Sequence, residues 1–522
     1  MDEKRNITKA AGLMSAATFI SRILGYVKDM ILAVLFGATG LSDTFFVAFR
    51  IPNLLRELFA EGSMSSAFIP VLTEYQTKHG AEEAKRLVRT TFTAILIIVG
   101  AICIAGIIFA PAIVTAIAPG FLKTPGKFSL TVMLTRTMFP FLLFVSLAAL
   151  VMGALNTRRI FFVPALAPAI LNIVTIAVVL LLAYRIEQPI AAVAIGVALG
   201  GFVQFAFQLP SFFRNGYSLK PEYGFSHPGL KKMSLLVLPA TMGMAVTQIN
   251  IFISTILASY LQEGSITYLY YSMRLIQFPV GIFGVAMGMA VLPALSSHAA
   301  KGEIDNLRSD FSFALRMLFF MTVPAMARLI ALRGPIVNIL FQRGRFEYAA
   351  TLGTADALLF YSFGIWAIVG VRIVTAGFYS MQDTKTPVKI AVIAMITNIA
   401  LSLVLLGPMK HSGLALANAA AASVNFCVLF FMLRKKLGSI DGRKIAGSFM
   451  KISAASAVTG LMGWSIIRGD MWTQSGMIAE KAGALAGVTA LYLTVYFLIM
   501  HLLGSEELKY LVRMYRERKK KG

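Results

Sequence analysis

The chain of 522 residues is 57% hydrophobic and only 14% charged. About a quarter of the residues in a soluble domain are charged, so this composition excludes a soluble protein and indicates an integral membrane protein with many spans. The net charge of +24 could suggest nucleic-acid binding. Basic residues of a membrane protein collect in its cytoplasmic loops, however, so we expect no nucleic-acid partner. The apolar runs are continuous and about 20 residues long, which favours helices over the short alternating strands of a β-barrel.

The apolar runs predict an all-α integral membrane protein with fourteen transmembrane helices. The N-terminal residues lack the short apolar core and small-residue cleavage site of a signal peptide, so the first run is interpreted as an uncleaved span. The predicted limits are 10–36, 42–71, 91–117, 130–155, 161–184, 189–213, 233–261, 266–297, 311–332, 351–380, 387–407, 412–433, 445–467 and 482–504.

The distribution of basic residues predicts the orientation. An even number of spans places both termini on one side of the membrane. The segments on that side hold roughly 29 basic residues, against about nine on the other side, which predicts cytoplasmic N- and C-termini. The basic C-terminal segment YLVRMYRERKKK is interpreted as a topology anchor that touches anionic lipid.

The second predicted span carries more charge than a membrane segment normally tolerates. A charge at membrane depth costs roughly 2.5–3.5 kcal/mol, so such side chains normally face a cavity or a partner. On an ideal helix four of them fall within about 20° of one line, with Asn53 beside it: Asp43, Arg50, Glu57 and Glu61. Arg56 points elsewhere unless Pro52 breaks the helix. Alternatively, residues 56–61 are a helix end at the headgroups, with the Arg50 side chain extended towards water.

Two pairs of similar segments predict an internal repeat. Residues 45–72 resemble residues 270–295, with Arg50 opposite Arg274, and a second similar pair follows the fourth and tenth spans. Both pairs are about 224 residues apart, so the second span corresponds to the eighth and the fourth to the tenth.

Because the repeat contains six helices, an even number, both copies begin on the same side of the membrane and have the same topology. We therefore expect two six-helix lobes, residues 1–225 and 226–440, related by a parallel pseudo-two-fold axis, with a substrate site between them. Residues 441–522 are predicted to be two additional transmembrane helices and a basic cytoplasmic tail.

The charged residues inside the spans predict the sign of the charge on the substrate. Arg22 and Asp29 on the first span are seven residues apart and share a helix face, so they could pair or line one cavity. The candidate cavity residues are Arg22, Lys28, Arg50, Arg56 and Arg274 against Asp29, Asp43, Glu57 and Glu61, with Gln277 one turn after Arg274. Arginine offers paired donors to phosphate, whereas a site for cationic drugs would need isolated carboxylates and aromatics. This pattern predicts an anionic, phosphorylated substrate.

No sequence pattern indicates bond-breaking chemistry. The chain has no GxxxxGK[ST] phosphate loop, no Ser/His/Asp arrangement and no metal-ligand spacing, and its two cysteines lie inside apolar runs. We predict a transporter that is not an enzyme and needs no cofactor. Its energy would come from an ion gradient, the membrane potential or the substrate gradient, and the identity of a coupling ion stays open.

Four segments carry a resemblance to the MurJ (MviN) family of lipid II flippases, in the multidrug/oligosaccharidyl-lipid/polysaccharide exporter superfamily. They are SRILGYVKD (21–29), DTFFVAFRIPNLLRELFAEG (43–62), YYSMRLIQFPVG (270–281) and GFYSMQDTKTPVK (377–389). The resemblance covers the whole chain and its span count. It implies a protein of the bacterial inner membrane that flips lipid II, undecaprenyl-pyrophosphate disaccharide pentapeptide, to the periplasmic leaflet for peptidoglycan synthesis by alternating access.

The resemblance also implies roles for individual residues. The functional cations of the family map onto Arg22, Lys28, Arg56 and Arg274, which would hold the pyrophosphate, and its acidic positions map onto Asp43 and Glu61. Lys28 stands where many relatives have arginine. Lysine keeps the positive charge but cannot donate two parallel hydrogen bonds as a guanidinium does. Gln277 stands where some relatives have glutamate. The two additional helices would form a groove for the lipid tail.

The expected partners are lipid II and membrane lipids, and the expected assembly is a monomer, with the cell-wall synthesis machinery as a further partner. Two alternatives remain open: a flippase for another polyprenyl-pyrophosphate-linked glycan, and a cation-coupled multidrug exporter of the same superfamily, which would have an acidic cavity. A scaffold without transport function would leave the charges inside the spans unexplained.

Overall fold

The computed structural model describes the backbone of residues 2–57 and 67–521, and the side chains in these ranges except those of residues 2–11, 13, 15, 238–247, 285 and 518–521. Every regular element in the described ranges is a helix, which confirms the all-α prediction. Ten of the described helical segments are long and apolar enough to cross a membrane.

The first compact unit comprises residues 1–264. Its helices are α1 (Asp2–Phe36), α2 (Gly40–Arg56), α3 (Ile69–Lys78), α4 (Gly80–Ile108), α5 (Ala110–Ile117), α6 (Lys127–Thr157), α7 (Phe162–Leu182), α8 (Ala191–Arg214) and α9 (Pro228–Ser259), with a 3-10 turn at Pro119–Lys123.

Helix α6 is the centre of the first unit. It packs against α2, α4 and α8, and 78% of its most apolar stretch is buried. A helix that is apolar on all sides can only be stable where neighbours or lipid surround it. Small residues allow these helices to approach closely. A Cβ at Gly153 would lie 2.7 Å from the ring of Phe68, and a Cβ at Gly201 would lie 2.7 Å from the ring of Phe141.

The second compact unit comprises residues 265–522. Its helices are α10 (Ser265–Pro279), α11 (Ala286–Lys301), α12 (Ile304–Ala331), α13 (Arg333–Phe341), α14 (Tyr348–Ser362), α15 (Ile365–Ser380), α16 (Lys385–Leu437), α17 (Gly442–Ile466), α18 (Ile478–Leu502) and α19 (Glu506–Lys521), with a π-helical segment at Val280–Val285 and a 3-10 turn at Asp470–Trp472.

The eleventh and twelfth predicted spans both lie in α16, which has 53 residues. A straight helix of that length would be about 80 Å long, far more than the roughly 30 Å of a bilayer core. The helix is interrupted at Lys410 (φ 51°, ψ −132°), in the short gap between the two predicted spans. A Cβ at Gly413 would collide with the carbonyl group of Leu405, although in a straight helix these residues would be about 12 Å apart. The chain therefore folds back on itself here.

The exact count of fourteen spans stays a prediction. The second predicted span includes residues 58–66, and the seventh includes residues 238–247, so neither is described in full. The two compact units divide after Gly264, because α9 contacts α3, α4 and α5 of the first unit. Compactness and internal symmetry are different criteria, so the lobe boundaries at 225/226 and 440/441 stay predictions.

Within the second unit, the two C-terminal helices α17 and α18 pack against α12 and α13. Pro324 within α12 has no N–H, so it cannot donate to the carbonyl oxygen of Phe320 one turn earlier. The hydroxyl of Tyr496 on α18 donates to this oxygen at 2.9 Å, and the hydroxyl of Tyr492 donates to the carbonyl oxygen of Pro324 at 2.9 Å. Both tyrosines are buried, and their hydroxyl groups join α18 to α12.

A buried polar network holds the connection between α17 and α18. The Nζ of Lys481, which is 1% exposed, donates to the Asn338 side-chain oxygen on α13 at 3.0 Å and to the Gln474 carbonyl at 2.5 Å. The Asn338 amide donates to the Trp472 carbonyl at 2.8 Å and to the Gln342 side-chain oxygen at 2.7 Å. Buried polar groups must be paired in this way, and the pairing fixes α18 to α13.

Candidate substrate site

The C-terminal end of α2 holds the most connected group of predicted site residues. The Nε of Arg56 donates to the side-chain oxygen of Asn53 at 3.1 Å, and the Asn53 amide donates to Glu57 Oε1 at 3.0 Å. Gln248 on α9 donates to Glu57 Oε2 at 2.7 Å, and Arg56 Nη2 lies 3.8 Å from Glu57 Oε1. We call these four residues the α2 polar cluster. Because Asn53 contacts both charged groups, it fixes the orientation of the guanidinium and the carboxylate together.

The structure corrects the expected geometry of Arg56. Helix α2 continues without interruption through Pro52 to Arg56, and the backbone becomes π-helical only at Glu57. The idea that a break at Pro52 must bring Arg56 beside the other polar residues is wrong. Positions 53, 56 and 57 are neighbours on any helix, and the long arginine side chain spans the remaining angle. Residues 58–66 follow directly, so the predicted site residue Glu61 lies outside the described residues.

Asp43 and Arg56 lie at opposite ends of α2, about 20 Å apart along the helix axis. Asp43 is buried, and its Oδ2 accepts from the Gly264 backbone N–H at 2.8 Å and lies 3.4 Å from Lys127 Nζ on α6. The carboxylate of Asp43 therefore ties α2 to α6 and to the turn after α9. Arg50 lies between the two ends of α2 and is half-buried.

The charged residues of α1 form a different pair from the one that the spacing suggested. Asp29 is fully buried, and its Oδ1 lies 3.7 Å from Nζ of the half-buried Lys28. The ion pair shown for Asp29 is thus with its neighbour in sequence, which the flexible lysine side chain can reach. Arg22, two helical turns earlier, is exposed. Arg22 and Asp29 therefore do not pair, and the alternative that both line one cavity stays a prediction.

Arg274 and Gln277 belong to the second unit, on α10, where Arg274 is half-buried and Gln277 is exposed. They stand just before Pro279 and the π-helical segment Val280–Val285. Segments of π-helix are rare and occur often at functional sites. A Cβ at Gly284 would lie 3.1 Å from Val369 on α15, so this glycine serves close helix packing.

Sequence reasoning missed two residues that hold the predicted site residues in place. Lys127 lies at the start of α6, and Gln248 is one of several polar side chains on α9. A glutamine inside an apolar run was a detectable signal, but nothing along the chain showed that it meets Glu57. Within the described residues, no group of three or more His, Cys, Asp or Glu side chains could hold a metal ion.

The arrangement in the first unit is suited to an anion. Four of its predicted cations are described, Arg22, Lys28, Arg50 and Arg56, and each is exposed or half-buried. The carboxylates of Asp29 and Asp43, by contrast, are buried and held by lysines. These cations are therefore more accessible than the carboxylates of Asp29 and Asp43, although Glu57, at 35% exposed, is more accessible than Arg56 at 22%. An accessible guanidinium can offer paired donors to a phosphate.

A family model described as lipid II flippase MurJ matches residues 32–480. The chain belongs to the MurJ family of lipid II flippases. A probable lipid II flippase MurJ of Vibrio cholerae is 36% identical over 508 residues, covering 96% of this chain and 97% of the relative. The lipid II flippase MurJ of Burkholderia cenocepacia is 33% identical over 504 residues, covering 96% and 98%. Membership of the MurJ family is therefore established along almost the whole chain.

Solved structures agree with this assignment. A lipid II flippase MurJ in an inward closed conformation superposes with a TM-score of 0.77 and 28% identity, covering 94% of this chain and 99% of that one. An inward-facing multidrug resistance MATE transporter of the MOP superfamily has a TM-score of 0.70 at 12% identity and covers 83% of this chain, which shows a shared fold alone. The relatives are flippases, which are transporters, so the prediction of a membrane transporter that is not an enzyme is confirmed.

Proposed function

We propose that this protein flips lipid II from the cytoplasmic to the periplasmic leaflet of the bacterial inner membrane. The observation that carries the proposal is the similarity of 96% of the chain, at 33–36% identity, to proteins named as lipid II flippases. The accessible cations of the first unit support it, because the lipid-linked substrate carries its negative charge on a pyrophosphate.

The proposed pyrophosphate-binding residues are Arg22, Lys28 and Arg56 in the first unit and Arg274 in the second. Arg56 is prepared for this role, because its Nε is already held by Asn53. A guanidinium fixed through Nε keeps its planar fork in one orientation, which lowers the entropy lost on binding an anion. Asn53 and Gln248 orient Glu57 in the same way.

The polyprenyl tail is proposed to lie along α17 and α18. Their outer faces carry large exposed apolar side chains, among them Met450, Leu461, Leu491 and Leu498. Only 22% of the most apolar stretch of α18 is buried, compared with 78% for α6. A surface this apolar must face lipid, either the bilayer or the tail of a bound lipid.

The finer parts of the proposal concern mechanism and assembly. The protein is proposed to work by alternating access of its two lobes, as a monomer with cytoplasmic termini that cooperates with cell-wall synthesis enzymes. The excess of basic residues in the segments of one side supports the orientation. Single cysteines placed at residues 3 and 521 should react with a membrane-impermeant thiol reagent only after the cells are opened.

The test of function is complementation of a strain depleted of its own flippase. Arg56→Ala and Arg274→Ala, each expressed at the normal level, should fail to support growth, because each removes a proposed pyrophosphate donor. Arg185→Ala, which removes an exposed arginine between α7 and α8, is the matched control and should grow normally.

The substrate is tested separately by lipid analysis of the depleted cells. Accumulation of lipid II supports the proposal, whereas accumulation of another polyprenyl-pyrophosphate-linked glycan would assign the protein to that substrate. Normal growth of both arginine variants would reject the proposed site, and rescue by neither the wild-type chain nor the control would reject the function.

A further inference from the structure

The junction of α18 and α19 forms a fixed elbow at one end of the second unit. Gly504 has a left-handed backbone (φ +67°), which permits the chain to leave α18 after Leu502. Ser505 then caps α19, because its hydroxyl oxygen accepts from the Leu508 backbone N–H at 3.3 Å. Only three residues separate the apolar helix from the basic one.

One side of α19 is anchored to the second unit. Arg316 on α12 donates to Glu506 at 2.7 Å and to Glu507 at 3.1 Å, and Ser448 on α17 donates to Glu507 at 2.8 Å. The carboxylate of Glu507 is buried, and the ring of Tyr510 lies edge-on to Phe313, 4.7 Å between centroids. These contacts hold α19 in place without using any of its basic residues.

The other side of α19 lines a cavity of ≈ 480 Å³ between this helix and the last turn of α18. Its wall carries three cations, Lys509, Arg513 and Arg516, and two aliphatic residues, Leu508 and Val512. One carboxylate, Glu517, also lines the cavity and accepts from Arg513 Nε at 2.9 Å. Three cations against one carboxylate leave a net positive wall.

Apolar side chains surround this cationic wall. Leu502 at the end of α18 is 75% exposed, and Val512 and Tyr515 on α19 are 41% and 71% exposed. On a helical wheel Leu508, Val512 and Tyr515 lie within about 60° of one another, and Lys509, Arg513 and Arg516 lie on the adjacent side. This division is typical of a helix that lies in the headgroup region of a membrane.

We propose that this cavity binds the headgroup of an anionic phospholipid from the leaflet on the side of the C-terminus. Lys509, Arg513 and Arg516 contact the phosphate, and the acyl chains extend along Leu508, Val512 and the last turn of α18. The combination of cations with exposed leucine and valine fits a phospholipid, because a free phosphate or a nucleic acid would gain nothing from the apolar part. The headgroup site is distinct from Arg22, Lys28, Arg56 and Arg274, the residues proposed to bind the pyrophosphate of lipid II, and does not depend on them.

The test measures binding of short-chain phosphatidylglycerol to the purified full-length protein by native mass spectrometry. The triple variant Lys509→Gln/Arg513→Gln/Arg516→Gln should bind at least tenfold more weakly. The matched control Arg434→Gln/Lys435→Gln/Arg443→Gln removes three exposed basic residues from the neighbouring α16–α17 region and should change the affinity less than twofold.

Further arms distinguish a phospholipid site from simpler explanations. Lys509→Arg/Arg513→Lys/Arg516→Lys keeps the charge and should bind within threefold of the wild type. Phosphatidylcholine and inorganic phosphate at equal concentration should not displace phosphatidylglycerol. Equal loss of affinity in the control triple variant, equal binding of phosphatidylcholine, or displacement by inorganic phosphate would each overturn the proposal. Thermal unfolding of the glutamine variant should match the wild type, because the Glu507 anchor is unchanged.

Discussion

Asn53 contacts both charged side chains of the α2 polar cluster and carries no charge itself. Its side-chain oxygen accepts from Arg56 and its amide donates to Glu57. Because this neutral side chain contacts both groups, Arg56 does not form a close ion pair with Glu57. Arg56 Nη2 lies 3.8 Å from Glu57 Oε1. The Arg56 guanidinium is therefore oriented through its Nε by a neutral neighbour.

Replacing Asn53 with alanine should weaken binding of lipid II about tenfold, or ~1.4 kcal/mol, because Arg56 loses its orientation. Binding to the purified protein provides the measurement, and Asn215→Ala at the end of α8 is a control that removes a similar amide contact elsewhere. In an Arg56→Lys background the same change should cost little, because lysine has no Nε for Asn53 to hold. Equal losses in both backgrounds would show that Asn53 acts on stability and not through Arg56.

Asp383, in the turn between α15 and α16, provides a prediction about pH. A hydrogen bond from Lys436 at 2.9 Å, with a second from the Thr386 backbone at 3.0 Å, lowers the pKa of Asp383 to about 2 from its ordinary value of 3.8. A carboxyl group whose pKa is lowered in the folded state stabilises the folded protein at pH values above the ordinary pKa of that group. That contribution is lost as the pH falls from about 4 towards 2.

Asp383→Asn should therefore lower the stability by about 1 kcal/mol at pH 7, allowing for solvent screening of the partly exposed pair. The difference in thermal unfolding midpoint between variant and wild type should shrink as the pH is lowered through 4 to 2.5. Asp305→Asn, in an exposed i,i+3 pair, is the control and should show a smaller effect at every pH. A difference that grows in acid would contradict the assignment.

At the scale of elements, a proline in one helix is matched by a tyrosine in another. Pro324 leaves the Phe320 carbonyl without its intrahelical donor, and the Tyr496 hydroxyl supplies one at 2.9 Å. A buried carbonyl left without a donor costs about 1–3 kcal/mol. The contact between α12 and α18 thus compensates for a defect inside α12.

Tyr496→Phe should accordingly destabilise the protein by about 1–3 kcal/mol, measured as a lower midpoint of thermal unfolding. In a Pro324→Ala background the same change should cost less, because alanine restores the backbone N–H that can donate to Phe320. Tyr184→Phe, at an exposed position after α7, is the control and should have no effect. An undiminished loss in the alanine background would rule out the proposed compensation.

The sequence allowed the helical class, the membrane character and the family to be predicted, because all three depend on composition and on patterns along the chain. The break in α16 at Lys410 also lies in the gap left between two predicted spans. What could not be predicted were the contacts between helices: Gln248 with Glu57, Lys127 with Asp43, and Tyr496 with Phe320. Spacing along one helix shows which residues share a face, but not which other helix that face meets.

At the scale of the whole molecule, one consequence follows from the buried network around Lys481. Because Lys481 and Asn338 bind α18 and the residues before it to α13, these elements are expected to move together with the second unit during transport. A lipid tail resting on α18 would then keep the same neighbours while its headgroup crosses the membrane. A covalent cross-link between α13 and α18 should leave the flipping rate unchanged, and a cross-linked protein that cannot flip would show that the groove itself must open.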